Sequence, residues 1–398
     1  MKTKVLIVGG GAAGLALALK LGIKGIKCVV IDPSVPNSYD FKKHGGRTAA
    51  LMGQSVDLLQ SLGLWEEIER DTAPLNTMKI IDDGNPALDP VELSFPANEI
   101  DEKNFGHNVP NCYLRELLYQ HAQKNENITC LIPDKVTKIE HQNASIVITT
   151  EQGEKITADL LVGADGRFSK VREISGIGFK EIDYNQTAIT CLVSHSKPHD
   201  NISTEHHRPG GPFTMVPMPD QNRKHYSSIV WVEKTDEAQK YLSIEKALVE
   251  QTLYDKTRHA LGDITLESPL ESWPLKALLA DKIIAERTAL IAEAAHAMSP
   301  IGAQGLNLSL RDVDILGDIL SEAIQLGEDI GGDVVLSRYQ GARHLDLQTR
   351  FHGVDKYNKV VSNNIGFVRS LRRGGLNTLK TIPALKKLAM HVGLKPAA

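Results

Sequence analysis

The stretch VLIVGGGAAGLALALK, Val5 to Lys20, decides the fold. A short, continuous apolar run, Lys4 to Val8, is the pattern of a strand buried on both faces of a parallel sheet. It ends in Gly9-x-Gly11-x-x-Gly14, and a helix-forming run follows at once, expected over Gly14 to Lys24. Gly9 permits the tight turn, Gly11 lets a pyrophosphate touch the backbone, and Gly14 lets the helix lie close on the strand. A second strand, Ile26 to Asp32, ends in an acid eighteen residues past Gly14. Asp32 is placed to accept hydrogen bonds from both hydroxyls of an adenosine ribose. Strand, glycine turn, helix, strand and acid together predict a dinucleotide-binding β-α-β unit at the start of the chain.

Outward from this unit, amphipathic helices are expected over Ser55 to Arg70 and Asn111 to Lys124. Strand-like pieces alternate from Asn127 to Glu151, and Asp159 to Ala164 (DLLVGA) is a further buried strand. Between about 184 and 273 the pattern changes. Short β-like runs (AITCLVSH, FTMVPM, YSSIVWVE) lie among His, Pro and polar residues, as in an antiparallel sheet forming its own lobe. A short strand returns at Ala289 to Ala292, and the chain reads as helical from about Gly341 to its end. The fold class is therefore α/β: a Rossmann-like nucleotide-binding domain with an inserted, mainly antiparallel β-sheet lobe and a helical C-terminus. The expected parts are 1–77, 101–183 and 274–340 for the nucleotide-binding domain, 78–100 and 184–273 for the lobe, and 341–398 for basic C-terminal helices.

Composition narrows the class. Hydrophobic content of 41% and charged content of 24% in 398 residues suit a globular enzyme of one large or two smaller domains. Cys28, Cys112, Cys130 and Cys191 are scattered without a C-x-x-C, which argues against a disulfide framework or zinc site and for a reducing, cytoplasmic setting. No secretory pattern opens the chain and no apolar run reaches membrane-span length. Charge is polarised. After Asp355 no Asp or Glu occurs, and Lys356, Lys359, Arg369, Arg372, Arg373, Lys380, Lys386, Lys387 and Lys395 give +9; with −4 for the whole chain, residues 1–355 carry −13. Apolar and basic residues alternate at roughly helical spacing in IGFVRSLRR and IPALKKLAMHVGLK, which suits a peripheral membrane surface or a protein partner. Nucleic-acid recognition motifs are absent.

The stretch EAAHAMSPIGAQGLNLSLRD, Glu293 to Asp312, packs Gly302, Ala303, Gln304 and Gly305 directly before a long helix expected to begin near Leu306. A Gly/Ala turn there is a connector, or a bare helix N-terminus against which a flat ligand can lie. A freely exchanging nicotinamide coenzyme needs only the first unit, whereas a tightly held flavin needs contacts from distant segments. A third segment, LLVGADGRFSKVRE, carries Asp165-Gly166-x-x-Ser169-x-x-Arg172.

These three motifs, in this order, resemble those of the FAD-dependent aromatic-ring hydroxylases with the para-hydroxybenzoate hydroxylase fold. HAMSPIGAQGLNLSLRDV, GGRTAAL (Gly45 to Leu51) and FGHNVPNCYLRELL (Phe105 to Leu118) are most similar to the ubiquinone-biosynthesis hydroxylases, which act on polyprenylated phenols. The resemblance implies that Gly11, Ala13 and Gly14, with the Gly9 turn, hold the FAD pyrophosphate and Asp32 the ribose. It implies that Arg47 and Asn111 reach the cofactor. Asp165 supports FAD and the nicotinamide donor's route, Glu293 holds the ribityl or pyrophosphate portion, and Gly305, Leu306 and Asn307 offer backbone N–H groups to the isoalloxazine. It further implies NADPH or NADH as a transient electron donor, dioxygen as co-substrate and an aromatic, prenylated substrate. Hydroxylation of a small soluble aromatic, a flavin oxidoreductase without oxygen insertion, and a non-catalytic flavin-holding subunit stay open. One departure stands out: the commoner Gly-Asp-Ala-Ala-His is here Ala292-Glu293-Ala294-Ala295-His296.

Other residues read more plainly. His296 is expected to be structural, and His195, His206 and His207 lack metal-ligand spacing, so no metal is expected. Arg115 suits either nearby carboxylates or the cofactor. Trp231 and Trp273 suit the lobe core better than a substrate platform. No general base for a phenol can be assigned.

Overall fold

Val5, Leu6 and Ile7 are fully buried, so the strand Lys2–Val8 must lie inside a sheet covered on both faces. In the computed structural model, which describes residues 1–85 and 87–394, it is central. Cys28–Ile31 flanks it on one side and Lys155–Gly163 on the other, both parallel, with Val5 opposite Cys28 and Leu160. Ile128–Leu131 and Thr288–Leu290 extend the parallel sheet at its two sides. The hairpin Val136–Gln142 and Ser145–Thr150 joins antiparallel to Lys155–Gly163. The helix Ala12–Ile23 packs between Asn111–Lys124 and Gln304–Gln325 over this sheet. Each fully buried Leu or Val of the layer contributes roughly 1.5–3 kcal/mol relative to exposure.

A second sheet of nine strands stands beside the first. Its order runs His296–Ala297, Glu271–Ala280, Phe179–His195, Lys224–Lys234, Gly211–Gln221, Ile202–Arg208, Thr77–Asp82, Val91–Pro96, with Ile264–Leu266 on Phe179–His195. Every pairing is antiparallel except Ile202–Arg208 with Thr77–Asp82. Thr235–Ser243 and Lys246–Lys256 close one face, over Phe213, Ile229 and Trp231. Trp231 is lobe core, as its apolar neighbours in sequence suggest.

A three-stranded sheet couples the two large ones. It comprises Thr48–Met52, Gly106–Pro110 and Ala73–Pro74. Thr48 and Ser228 share a hydroxyl–hydroxyl bond of 3.2 Å, and the Asn108 amide donates to the Pro217 carbonyl at 2.9 Å. Gly106 is obligatory, because its φ is +142° and a Cβ there would lie 1.9 Å from the Leu51 carbonyl oxygen.

Several element boundaries differ from the sequence expectation; the first helix, for one, is Ala12–Ile23 and the second strand Cys28–Ile31. The single helix expected over Ser55 to Arg70 is two, Gly53–Ser61 and Trp65–Arg70. Gly63 at φ +72° ends the first, its N–H bonding the Gln60 carbonyl while the Leu64 N–H bonds that of Leu59. This paired closure needs a left-handed residue, which glycine supplies freely. The strand expected at Ala289 to Ala292 is Thr288–Leu290, and Ala292–Ala294 forms a single 3-10 turn. The last helical region begins earlier than Gly341. It comprises Asp333–Val361, Gly366–Thr381 and Pro383–Leu394, while Lys395 lies outside the described residues.

Candidate active site

The first glycine turn is shaped by backbone contact. A Cβ on Gly9 would lie 2.1 Å from the Ala164 carbonyl oxygen, and one on Gly14 would lie 2.0 Å from that of Gly9. The Ala164 N–H donates to Val8, so the turn and the Asp165-Gly166 segment meet at the strand ends. Gly11 is different: nothing lies within 4 Å of its Cβ position. It is the N-cap of Ala12–Ile23 and no side chain caps that helix. Ala13, two residues on, is buried beneath the turn.

Asp32 is locked in place. Its Oδ2 accepts from the Gly10 N–H at 2.7 Å, and its Oδ1 from the Ser34 N–H and hydroxyl, both at 2.8 Å. Arg115 donates from Nη2 to Asp32 Oδ1 at 3.1 Å and from Nε to the Gly10 carbonyl at 2.8 Å. Of the two roles open to Arg115 in the sequence, pairing with a carboxylate is the one observed. Asp32 Oδ2 accepts from the Gly10 amide, which leaves it a lone pair for a further donor.

Asp165 Oδ2 accepts from the N–H groups of Lys170 and Val171, while Oδ1 is buried without a partner. Ser169 caps the short helix Lys170–Ile174, and Arg172 reaches on from it. The Arg172 guanidinium donates to the Ala294 carbonyl at 2.8 Å and lies 4.5 Å over the Phe179 ring. Thus the Asp-Gly segment holds the turn bearing Glu293, whose own side chain is exposed. Ala292 adopts φ +56°, a conformation that glycine adopts without cost, which accounts for the commoner glycine at this position.

Arg47 lies on the loop just before the strand Thr48–Met52. It is exposed, with its guanidinium 4.1 Å over the Trp273 ring. Its carbonyl accepts from the Asn111 N–H at 3.0 Å, which brings Asn111 to the start of its helix. Asn111 Oδ1 is buried without a partner.

The second corner is built from side chains. The helix begins at Gln304 rather than near Leu306, preceded by Gly302 at φ +70° and Ala303 at φ +54°. No side chain caps it, so its first N–H groups, Gly305, Leu306 and Asn307 among them, carry the positive end of the helix dipole. Cβ positions on Gly302 and Gly305 meet no atom within 4 Å. The Asn307 side chain is fully used: Oδ1 accepts from the Met52 N–H and the Ser55 hydroxyl, and Nδ2 donates to the carbonyls of Ala50 and Ala303.

Behind it lies a network that sequence reasoning missed. Asp312 is fully buried and accepts from the Ala292 N–H at 2.9 Å, His296 Nε2 at 2.6 Å and Arg343 Nε at 2.7 Å. Burial opposes its ionisation, but His296 and Arg343 outweigh that and hold its carboxyl below the usual range. Asp346 accepts from Arg311, Arg343 and Arg350, and Arg350 donates to the Gln304 side chain at 2.6 Å. A signal existed: Leu308, Asp312, Leu316 and Leu320 form one four-spaced buried row. His296 is thus a structural partner of Asp312.

The two helices that start at these corners run the same way. Lys20 bonds Asp314 and Asp318, Lys24 bonds Asp318, and the Lys20 stem crosses Gly317. Their uncapped N-termini therefore face one end of the sheet. Uncapped N–H groups, open glycines and two orphaned buried acceptors, Asn111 Oδ1 and Asp165 Oδ1, fit a dinucleotide whose phosphates are anionic and whose ribityl hydroxyls donate. Among the described residues no group of three or more His, Cys, Asp or Glu is placed to hold a metal ion. His206 pairs with Asp83 and His207 with Glu205, while His195 bonds Ser227.

Comparison with known proteins bears on this geometry. The FAD binding domain family model matches residues 2–348. The chain is 33% identical to the ubiquinone hydroxylase UbiL of Rhodospirillum rubrum, over 97% of this chain and 88% of that one. It is 28% identical to the 3-demethoxyubiquinol 3-hydroxylase of Escherichia coli, over 98% of both. Among solved structures, PqsL, a probable FAD-dependent monooxygenase from Pseudomonas aeruginosa, superposes with a TM-score of 0.80 at 20% identity, covering 95% of this chain and all of that one. HpxO of Klebsiella pneumoniae, solved with FAD and uric acid, gives 0.74 at 17% identity, covering 94% and 92%.

Proposed function

This chain belongs to the FAD binding domain family, with the FAD-dependent aromatic hydroxylases of the ubiquinone subgroup, and from that premise we propose that it hydroxylates the ring of a polyprenylated phenol in ubiquinone biosynthesis. It is an FAD-dependent monooxygenase. FAD, when bound, would supply the redox chemistry between NADPH or NADH and dioxygen; the protein supplies binding, orientation and electrostatics.

The observation that carries the site assignment is the uncapped start of the Gln304–Gln325 helix, held open between Gly302 and Gly305. In this reading the N–H groups of Gly305, Leu306 and Asn307 balance the negative charge that a flavin gains on reduction. Gly9, Gly11, Ala13 and Gly14 receive the pyrophosphate, and Asp32, oriented by Arg115, takes the ribose. Asn111 and Asp165 accept from the ribityl chain through their orphaned oxygens. Glu293 lines the same passage from its exposed turn, and Arg47 borders it through Trp273. The parallel sheet and its helices form the cofactor half and the nine-stranded sheet the substrate lobe, whose strands Phe179–His195 and Glu271–Ala280 run past the expected bounds at 184 and 273, the ring lying between the two with water excluded. The enzyme works in the cytoplasm at a membrane surface, its basic C-terminal segment from 341 being the contact. No helix among the described residues is long and apolar enough to cross a membrane.

The test is direct. Purified holoprotein, NADPH and candidate prenylated phenols are mixed under labelled dioxygen, and the product is weighed by mass spectrometry. One labelled oxygen atom gained by the ring is expected. NADPH consumption that depends on substrate but leaves no labelled product defeats this reading.

A further inference from the structure

The nine-stranded sheet leaves one row of its inner face open. Glu205 stands opposite Thr214, Thr214 opposite Val230, and Val230 opposite Thr190, so the four share one face. The other face, with Phe213, Ile229 and Trp231, lies under the helices Thr235–Ser243 and Lys246–Lys256. On the inner face the flanking rows are covered. The buried Ser228 hydroxyl donates to the Gly46 carbonyl, and buried Val216 packs with Ala50 and Met52. On the far side Val232 and His207 are buried. Between them Glu205, Thr214 and Val230 are only half-buried. The opening thus adjoins the strand Thr48–Met52, which Asn307 holds by its backbone at the candidate flavin corner.

Glu205 is the acid of that open row. Its Oε1 is 2.9 Å from His207 Nε2, two residues on and on the same face, and the Tyr357 hydroxyl is 3.3 Å from the same nitrogen. An ionised carboxylate only accepts, so Nε2 carries the hydrogen, and Nδ1, buried and unpartnered, is bare. The buried imidazole therefore fixes the carboxylate from behind. Asp82, Asp83, Asp312 and Asp346 are each answered by an arginine, whereas no Lys or Arg pairs with Glu205 among the described residues. Its Oε2 has no protein partner there either, and the side chain is 19% exposed.

A carboxylate oriented from behind, unmatched by a cation and open at one oxygen is set to take a hydrogen bond from a neutral donor, and then its proton. We propose that Glu205 is a catalytic residue: its Oε2 accepts the hydrogen bond of the substrate's ring hydroxyl and takes that proton as the ring is attacked, while His207 and Tyr357 are positioning residues. The assignment rests on the phenol-hydroxylation reading. The O–H bond of the ring hydroxyl breaks and its electron pair stays on the oxygen, which becomes a carbonyl as the ring spends an electron pair on a new C–O bond to an electron-poor hydroxyl. The hydrogen on the attacked carbon then leaves as a proton, the carbonyl oxygen recovers a proton from Glu205, and the carboxylate is restored. The net change is one C–H converted to C–O–H; the other atom of dioxygen leaves as water with the two electrons of NADPH or NADH.

The test compares full-length holoprotein with Glu205→Gln and Glu205→Leu, using a farnesylated phenol and its methyl ether. Binding is read by equilibrium dialysis without NADPH, so it needs no turnover. The parent should bind the phenol about tenfold or more tighter than the ether, the worth of a charge-assisted hydrogen bond. Glu205→Leu should bind the two alike. Glu205→Gln keeps an acceptor but no base. It should bind the phenol within about threefold of the parent and form labelled product about a hundredfold or more slowly. A ring-fluorinated phenol, which parts with its proton more readily, should narrow that gap by about tenfold. Flavin absorbance and unfolding temperature report that both variants are folded. Equal binding of phenol and ether by the parent, product from Glu205→Gln at the parent's rate, or a gap that fluorination leaves unchanged would each overturn the proposal. Labelled product from parent and variants alike counts against Glu205 alone. A phenol preference that Glu205→Leu abolishes, with no labelled product from the parent, supports Glu205 as the acceptor and counts against the hydroxylation reading alone.

Discussion

The two glycine-bearing corners look alike in sequence and are built differently. At Gly9 and Gly14 the missing side chains are occupied by backbone, with carbonyl oxygens 2.1 and 2.0 Å from where a Cβ would stand. At Gly302 and Gly305 nothing stands there at all. The first corner keeps its shape because main chain fills it. The second keeps its shape because Asn307, Gln304 and the Asp312–Arg343–Asp346 network tie it from behind. A glycine therefore signals packing in one place and room for a ligand in the other, and only its surroundings tell which.

The strongest way to break this contrast is Asp312→Ala. It leaves the buried Arg343 with Asp346 alone, strips His296 of its partner and frees the Ala292 N–H, and it should cost about 3–5 kcal/mol in urea unfolding. The same carboxylate sets an acid limit. Its folded-state pKa lies below the unfolded value of about 3.9, so its stabilisation is complete above that value and is lost as pH falls beneath it. The parent should lose stability more steeply than Asp312→Ala on titration through that window, as read by thermal unfolding. An unchanged acid limb in the variant would separate Asp312 from the effect.

The next contrast lies inside the first corner. Gly14→Ala forces a methyl onto the Gly9 carbonyl and should cost about 1–3 kcal/mol of stability, with flavin lost in consequence. Gly11→Ala meets no protein atom and should leave apoprotein stability within about 0.5 kcal/mol while weakening flavin retention. Apoprotein melting and flavin fluorescence on titration measure the two quantities separately. Equal flavin retention by parent and Gly11→Ala would remove the pyrophosphate from this turn.

The smallest effect is a gain. Ala292 sits at φ +56°, which costs a non-glycine residue roughly 1–2 kcal/mol. Glycine would relieve that and give back about 0.5–1 kcal/mol through its freer unfolded chain. Ala292→Gly should therefore raise stability by about 0.5–1 kcal/mol, measured by chemical unfolding, and a loss instead would mean that the methyl packs usefully.

Legibility in the sequence follows the same division. The strand Lys2–Val8, the glycine turn and Asp32 could be read because backbone geometry dictates residue type there. The break at Gly63 could not, because the amphipathic pattern runs on through Trp65–Arg70 and a lone glycine within it is tolerated in many helices. Asp312 was hidden in a different way. Asp314 and Asp318 on the same helix are half-exposed, at 49% and 60%, and Asp312 has the same chemistry two positions earlier. Only its place in the row of Leu308 and Leu316 separates it. Its partners, His296 and Arg343, stand 16 and 31 residues away, beyond the reach of any local pattern.

The grip of Arg372 on Asp82 has a practical consequence for anyone shortening this chain. Asp82 is almost wholly buried, at 1% exposed, and its charge is answered by a residue near the far terminus. Trimming the protein after the long Asp333–Val361 helix would strand that carboxylate inside a sheet, so a truncated version made to improve solubility should be less soluble than its parent.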